Sequence, residues 1–219
     1  MRGLYAITPE TLDLGKLIEQ VRNAIAGGAS VVQYRSKLNG DITRKQAEAL
    51  RAVTRETGTT FIVNDDSDLA LSVGADGVHI GRDDGDAGDI SRIRHQCKTR
   101  STPSQSVPFM IGVSCYNELP RAESAVAAGA DYVAFGSFFS SLTKPTAAHA
   151  HVALIREAKA RFAVPVVAIG GITVENAQQL IAANVDAVAV ITALFDASDI
   201  ELRARQFTNL FKSRDHVHQ

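Results

Sequence analysis

Short β-branched runs recur along this chain, separated by longer segments with the apolar spacing of helices, and this alternation constrains its fold more than any other feature. The runs fall at residues 4–8, 30–35, 60–65, 77–81, 110–115, 131–136, 165–170 and 187–192, which predicts eight strands. Helical spacing covers 13–26, 43–56, 117–128, 146–161, 173–182 and 198–212. Asp13, Thr43 and Thr173 suit N-cap positions, while Gly27, Gly58 and Gly129 stand where helices should stop. Strand–helix–strand units give parallel pairing with right-handed crossovers. Eight of them close most naturally into a (β/α)8 TIM barrel, an α/β fold; an open doubly wound sheet is the competing arrangement.

The 219 residues suit one such domain, expected over 1–219. Residues 82–108 are rich in Gly, Asp, Ser, Thr, Gln and Pro and predict an irregular βα loop with a weak helical piece around 90–96. No repeat is evident beyond the alternation itself. A net charge of -1 provides no basic field for nucleic acid or anionic lipid, so an anion site must be local. No apolar run is long enough to span a bilayer. Two cysteines, Cys97 and Cys115, are too few for a disulfide framework, and the opening segment leads into a strand pattern rather than a signal sequence; a cytoplasmic location is expected.

In a barrel, chemistry belongs to the C-terminal ends of the strands, and here those ends are polar. After the second strand, Gln33, Arg35 and Lys37 alternate and would share one face, although a solvated strand end is the plainer reading of Arg-x-Lys alone. The third strand ends in Asn64-Asp65-Asp66 and the fourth is followed by Asp83-Asp84. Carboxylates on adjacent strand ends suit a hard cation such as Mg2+, with Asp66 and Asp68 equally suited to capping the next helix. His79, on the face shared with Gly77 and Gly81, reads as a packed barrel histidine without an assigned role. Ser114-Cys115 ends the fifth strand. The loop after the sixth carries Ser141, Thr143 and Lys144, which suit a phosphate or diphosphate or else form an ordinary mobile loop. Gly170-Gly171 after the seventh strand, with Ile191-Thr192 after the eighth, stands where barrels recurrently bind phosphate.

Taken in order, these residues resemble the thiamine phosphate synthase family, also called thiamine-phosphate pyrophosphorylase. The resemblance runs through Leu4-Tyr-Ala-Ile-Thr8, Gln33-x-Arg35-x-Lys37, Asn64-Asp65, Asp76-Gly-Val-His-Ile-Gly81 with Asp84, Gly112-Val-Ser114, Thr143-Lys144, Gly170-Gly-Ile172 and Val190-Ile191-Thr192. It implies a transferase that condenses 4-amino-2-methyl-5-hydroxymethylpyrimidine diphosphate with 4-methyl-5-(2-phosphooxyethyl)thiazole, or its carboxylated form, giving thiamine phosphate and pyrophosphate. It further implies that Gln33 orients the aminopyrimidine and that Asp65 and Asp84 hold Mg2+. Arg35, Lys37, Asn64 and Lys144 would hold the diphosphate, with Ser114 beside the reacting centre; Lys144, Ser114 and Arg35 are the expected catalytic set. Ser141, Thr143, Gly170, Gly171, Ile191 and Thr192 would surround the thiazole phosphate.

Three positions depart from the commoner family pattern. Ser141 stands for threonine and Thr192 for serine, each keeping a hydroxyl, while Ser137 stands for proline and is expected to loosen its loop. The expected partners are the two small-molecule substrates, with no nucleic acid and no membrane; a homo-oligomer is left open. Three rivals remain. A related thiazole tautomerase has little need for a diphosphate–Mg2+ constellation, and a phosphate-binding isomerase would leave the charged second to fourth strand ends unexplained. A ligand-sensing barrel would bind without turnover.

Overall fold

A computed structural model describes residues 1–38, 40–81, 87–100, 108–140 and 150–215, with the side chains of 87, 98–100 and 214–215 left aside. Eight parallel strands close a barrel in sequence order, β1 pairing with β8. They are β1 Gly3–Ile7, β2 Val31–Tyr34, β3 Thr60–Asn64, β4 Gly77–Ile80, β5 Met110–Tyr116, β6 Tyr132–Phe135, β7 Val166–Ile169 and β8 Ala187–Val190. The helices between and after them are α1 Leu14–Ala26, α2 Asp41–Thr57, α3 Ser67–Val73, α4 Ala87–Arg100, α5 Leu119–Ala127, α6 Ala153–Arg161, α7 Val174–Ala182, α8 Thr192–Phe195 and α9 Ile200–Asp215.

All eight expected strands form. The helices differ more from expectation: α3 was foreshadowed only by its cap candidates Asp66 and Asp68, α8 was not anticipated, and α4 is a full helix rather than a short piece around 90–96. The reason for α3 is local, because the Asp66 carboxylate accepts from the Leu69 N–H at 2.8 Å and caps a helix only two turns long. Asp13 and Thr173 cap α1 and α7 as expected. Thr43 does not cap α2, which begins two residues earlier; its hydroxyl instead donates to the Leu38 carbonyl at 2.8 Å.

Strand alternation divides the apolar residues into two cores. Tyr5, Val31, Ile62, Tyr132, Val167 and Ala187 fill the bore of the barrel, while the opposite faces, such as Leu4, Phe61, Val78 and Val188, pack beneath the helices. The bore accommodates the ring of Tyr132 because its register partner on β5 is a glycine: a Cβ at Gly112 would overlap the Tyr132 ring.

A four-fold recurrence also emerges that the alternation alone did not disclose. Helices α1, α3, α5 and α7 end alike, with Gly28, Gly74, Gly129 and Asn184 at positive φ. The next residue in each case donates to the carbonyl five back: Ala29 to Ala24, Ala75 to Ala70, Ala130 to Ala125 and Val185 to Leu180. The polar residue after that immediately precedes an even-numbered strand: Ser30, Asp76, Asp131 and Asp186. Each of the three aspartates accepts a backbone N–H from the preceding strand, that of Phe61, Ile111 or Val166. Each also binds a cation from the helix that leads into that odd strand, Arg51 of α2, Arg94 of α4 and Lys159 of α6 respectively. These brackets lie at the N-terminal ends of the strands, away from the mouth where the polar strand ends gather.

Candidate active site

The described part of the mouth is built from the ends of β2, β3, β5, β7 and β8. Gln33 shares the inward face of β2 with Val31 and lies between Ile7 and Ile62 in register. It is only 2% exposed, and its amide makes no hydrogen bond among the described residues. An amide so placed retains its capacity for a ligand. Beyond it, Arg35 is fixed through its backbone, its N–H donating to the Thr8 hydroxyl at 3.0 Å. The side chains of Arg35 and Lys37 are exposed at the rim.

At the end of β3, Asp65 takes a left-handed backbone conformation with φ 62, uncommon for a residue with a side chain. Its backbone N–H donates to the His79 carbonyl at 2.8 Å. One carboxylate oxygen accepts from the Gly81 N–H at 3.0 Å and the other from the Asn64 amide nitrogen at 2.6 Å. Turning the Asn64 nitrogen to Asp65 leaves its oxygen directed elsewhere. The cluster therefore offers oxygen donors alone, the set that a hard cation prefers. Among the described residues no group of three or more His, Cys, Asp or Glu could hold a metal. Asp84, expected to complete this site, lies outside the described residues.

Ser114, on the inward face of β5, is half-buried at the mouth, next to a register shift between Ser114 and Tyr116. Its backbone carbonyl accepts from the Arg121 guanidinium at 2.9 Å, and the same guanidinium reaches the Gly81 carbonyl at 3.1 Å, so α5 ties the β4 and β5 ends together. The Ser114 hydroxyl lies 2.9 Å from His79 Nε2. His79 Nδ1 lies 3.0 Å from the Tyr132 hydroxyl, which lies 2.9 Å from that of Tyr5. Burial lowers the His79 pKa to about 4, keeping the ring neutral, and raises those of both tyrosines.

On the far side, Gly170 and Gly171 adopt positive φ. A Cβ on Gly170 would approach Ser137 Cα to 2.6 Å, so only glycine lets this turn pack against the chain leaving β6. Ser137 is tied into that chain, its hydroxyl donating to the Phe139 carbonyl at 2.9 Å and its own carbonyl accepting from Ala150 at 2.7 Å; most of the loop it was expected to loosen, 141–149, lies outside the described residues. Asn176 fixes the turn by accepting from the Thr173 N–H and donating to the Gly171 carbonyl, both at 2.9 Å. No described acceptor takes the N–H groups of Gly171 or Ile172, and Ile191-Thr192 opens α8 on the neighbouring strand end. Ser141, Thr143 and Lys144 lie outside the described residues.

The structure thus gathers Gln33, Asn64, Asp65, Ser114, Gly170, Gly171, Ile191 and Thr192 at the strand C-termini of one barrel, with Arg35 and Lys37 at its edge. Sequence reasoning missed Arg121, Tyr132 and Tyr5, and it gave His79 no task. The available signal was period-two alternation, which places all three bore residues on inward faces.

A family model described as "Thiamine monophosphate synthase" matches residues 4–194. The chain is 48% identical to a thiamine-phosphate synthase of Nitrosospira multiformis over 211 residues, covering 96% of this chain and 86% of that protein. It is also 48% identical to one of Thiobacillus denitrificans, covering 95% and 94%. A solved thiamine phosphate pyrophosphorylase of Pyrococcus furiosus superposes with a TM-score of 0.80 at 31% identity, covering 96% of each chain.

Proposed function

Because the chain belongs to the thiamine monophosphate synthase family, and so is a transferase making thiamine phosphate, we propose how its residues divide that work. The reaction breaks the bond between the pyrimidine methylene carbon and the diphosphate oxygen, which departs with the electron pair. It then forms a bond from that carbon to the thiazole nitrogen. Negative charge accumulates on the leaving diphosphate, while the electron-rich aminopyrimidine carries the positive charge left behind. The protein's main task is to meet the first charge and hold the second in line with the thiazole.

Gln33 orients the aminopyrimidine through its unclaimed amide at the bottom of the mouth. Arg35, Lys37, Asn64 and Lys144 receive the diphosphate. Asp65 and Asp84 hold Mg2+, which supplies positive charge against the departing group. Ser114 donates a hydrogen bond beside the reacting carbon. Gly170 and Gly171, with Ser141, Thr143, Ile191 and Thr192, receive the thiazole phosphate, the backbone N–H groups of the turn serving as donors.

The observation that carries this division is the pinned oxygen cluster of Asn64 and Asp65 across the mouth from the positive-φ Gly170-Gly171 turn, which supports a cation site for the diphosphate's metal and a backbone N–H site for the phosphate, with an inward-facing amide between them. Pyrophosphate release tests it. Release is expected only when both substrates and Mg2+ are present; release from the pyrimidine diphosphate alone at the same rate would defeat the two-site reading. Absence of release, with tight binding of either substrate, would favour a sensing barrel.

A further inference from the structure

Four side chains form a hydrogen-bonded file down the bore of the barrel: Ser114, His79, Tyr132 and Tyr5, joined at 2.9, 3.0 and 2.9 Å. They come from β5, β4, β6 and β1. The upper end reaches the mouth, whereas Tyr5 and Tyr132 are 2% and 1% exposed in an apolar bore. A file of this kind has two self-consistent proton arrangements, and the ends decide between them.

The lower end decides here. Tyr132 is the only described hydrogen-bond partner of the Tyr5 hydroxyl, and Tyr5 is not among the described buried groups left without a partner. If Tyr132 donated to Tyr5, the Tyr5 proton would be a buried donor with no acceptor, the costlier of the two failures. Tyr5 therefore donates to Tyr132, and Tyr132 in turn donates to His79 Nδ1. Since the imidazole is neutral, its proton sits on Nε2 and is donated to the Ser114 oxygen. The Ser114 proton is then the one group in the file with no partner inside it.

We propose that His79 is a positioning residue held in its Nε2–H form by the Tyr5–Tyr132 pair, and that this makes Ser114 an obligatory hydrogen-bond donor towards the substrates. With the opposite tautomer, Ser114 would spend its proton on His79 and present an acceptor to an electron-rich leaving group. The assignment rests on the reading of Ser114 as facing the reacting centre, but the tautomer itself does not.

The test uses the full chain labelled with 15N-histidine, the His79 ring resonances being identified by their loss in His79→Gln. At pH 7 the proton is expected on Nε2, with Nδ1 in the unprotonated range; a proton on Nδ1 overturns the proposal. In steady-state kinetics, His79→Leu is expected to lower kcat by about tenfold, with KM for both substrates nearly unchanged. His79→Gln, whose amide N–H can stand in for Nε2–H, is expected to recover most of it. Wild-type kcat in His79→Leu, or a His79→Gln as slow as His79→Leu, overturns the proposal. If His79→Leu fails to fold, the tautomer measurement decides. A wild-type chain that releases no pyrophosphate at all would instead defeat the functional reading and leave the tautomer result standing.

Discussion

At the scale of single residues, the burden falls on a few side chains whose surroundings set their chemistry. Asp65 combines a left-handed backbone with a carboxylate held at both oxygens, so its charge is fixed in place rather than free to swing. Asp65→Asn keeps the size and is expected to leave folding intact while lowering Mg2+-dependent pyrophosphate release by about a hundredfold; unchanged turnover would remove Asp65 from the metal site. His79 makes a different prediction. In the unfolded chain an imidazole gains its proton near pH 6.5, and in the fold burial delays this to about pH 4. Between those values the unfolded state binds more protons, so stability falls as pH drops through this window and is fully present above it. Lowering the pH from 7 to 5 should cost the wild type about 2 kcal/mol more than His79→Gln, read from urea midpoints in metal-free buffer. Asp65 was legible in the sequence because strand-end acids are conspicuous. The task of His79 was not, because hydrogen bonds between β4, β5 and β6 depend on register that a single strand does not reveal.

At the scale of elements, all eight strands were legible because β-branched runs bounded by turn residues leave little choice. Helix ends were less so: Thr43 resembles a cap by type, but its hydroxyl is engaged by Leu38, and α2 starts without a side-chain cap. The start of α7 shows how a cap can shape a site. Asn176 joins the capping box to the Gly171 carbonyl and so holds both the helix end and the Gly170-Gly171 turn proposed for the phosphate. Asn176→Ala should destabilise the fold by about 1 kcal/mol and raise KM for the thiazole phosphate about fivefold, with KM for the pyrimidine diphosphate unchanged. Denaturation and separate substrate titrations check the two halves of this expectation. An equal rise in both KM values would mean that the change spreads beyond α7.

For the whole molecule, the mouth carries the chemistry and the opposite end carries a repeated device for holding strands in register. Asp76, Asp131 and Asp186 each clamp a backbone N–H to a cation on a helix, in separate quarters of the barrel. Asp76→Ala and Asp186→Ala should each cost about 1–3 kcal/mol, and the double variant should lose close to their sum, because the two brackets share no partner. Values of kcat for the folded variants should stay at wild type; urea unfolding and pyrophosphate release check both statements. The recurrence was present in the sequence as Gly-Ala-Ser, Gly-Ala-Asp, Gly-Ala-Asp and Asn-Val-Asp before the even strands, but such short words carry no weight until identical hydrogen bonds give them a common meaning. The contact between Gly112 and the Tyr132 ring has an evolutionary consequence. The missing side chain on β5 and the ring on β6 occupy one volume, so drift at either position is blocked until the other changes. Among descendants of this sequence, a larger residue at 112 should arise only alongside a smaller one at 132, and the same exchange would break the proton file beneath Ser114.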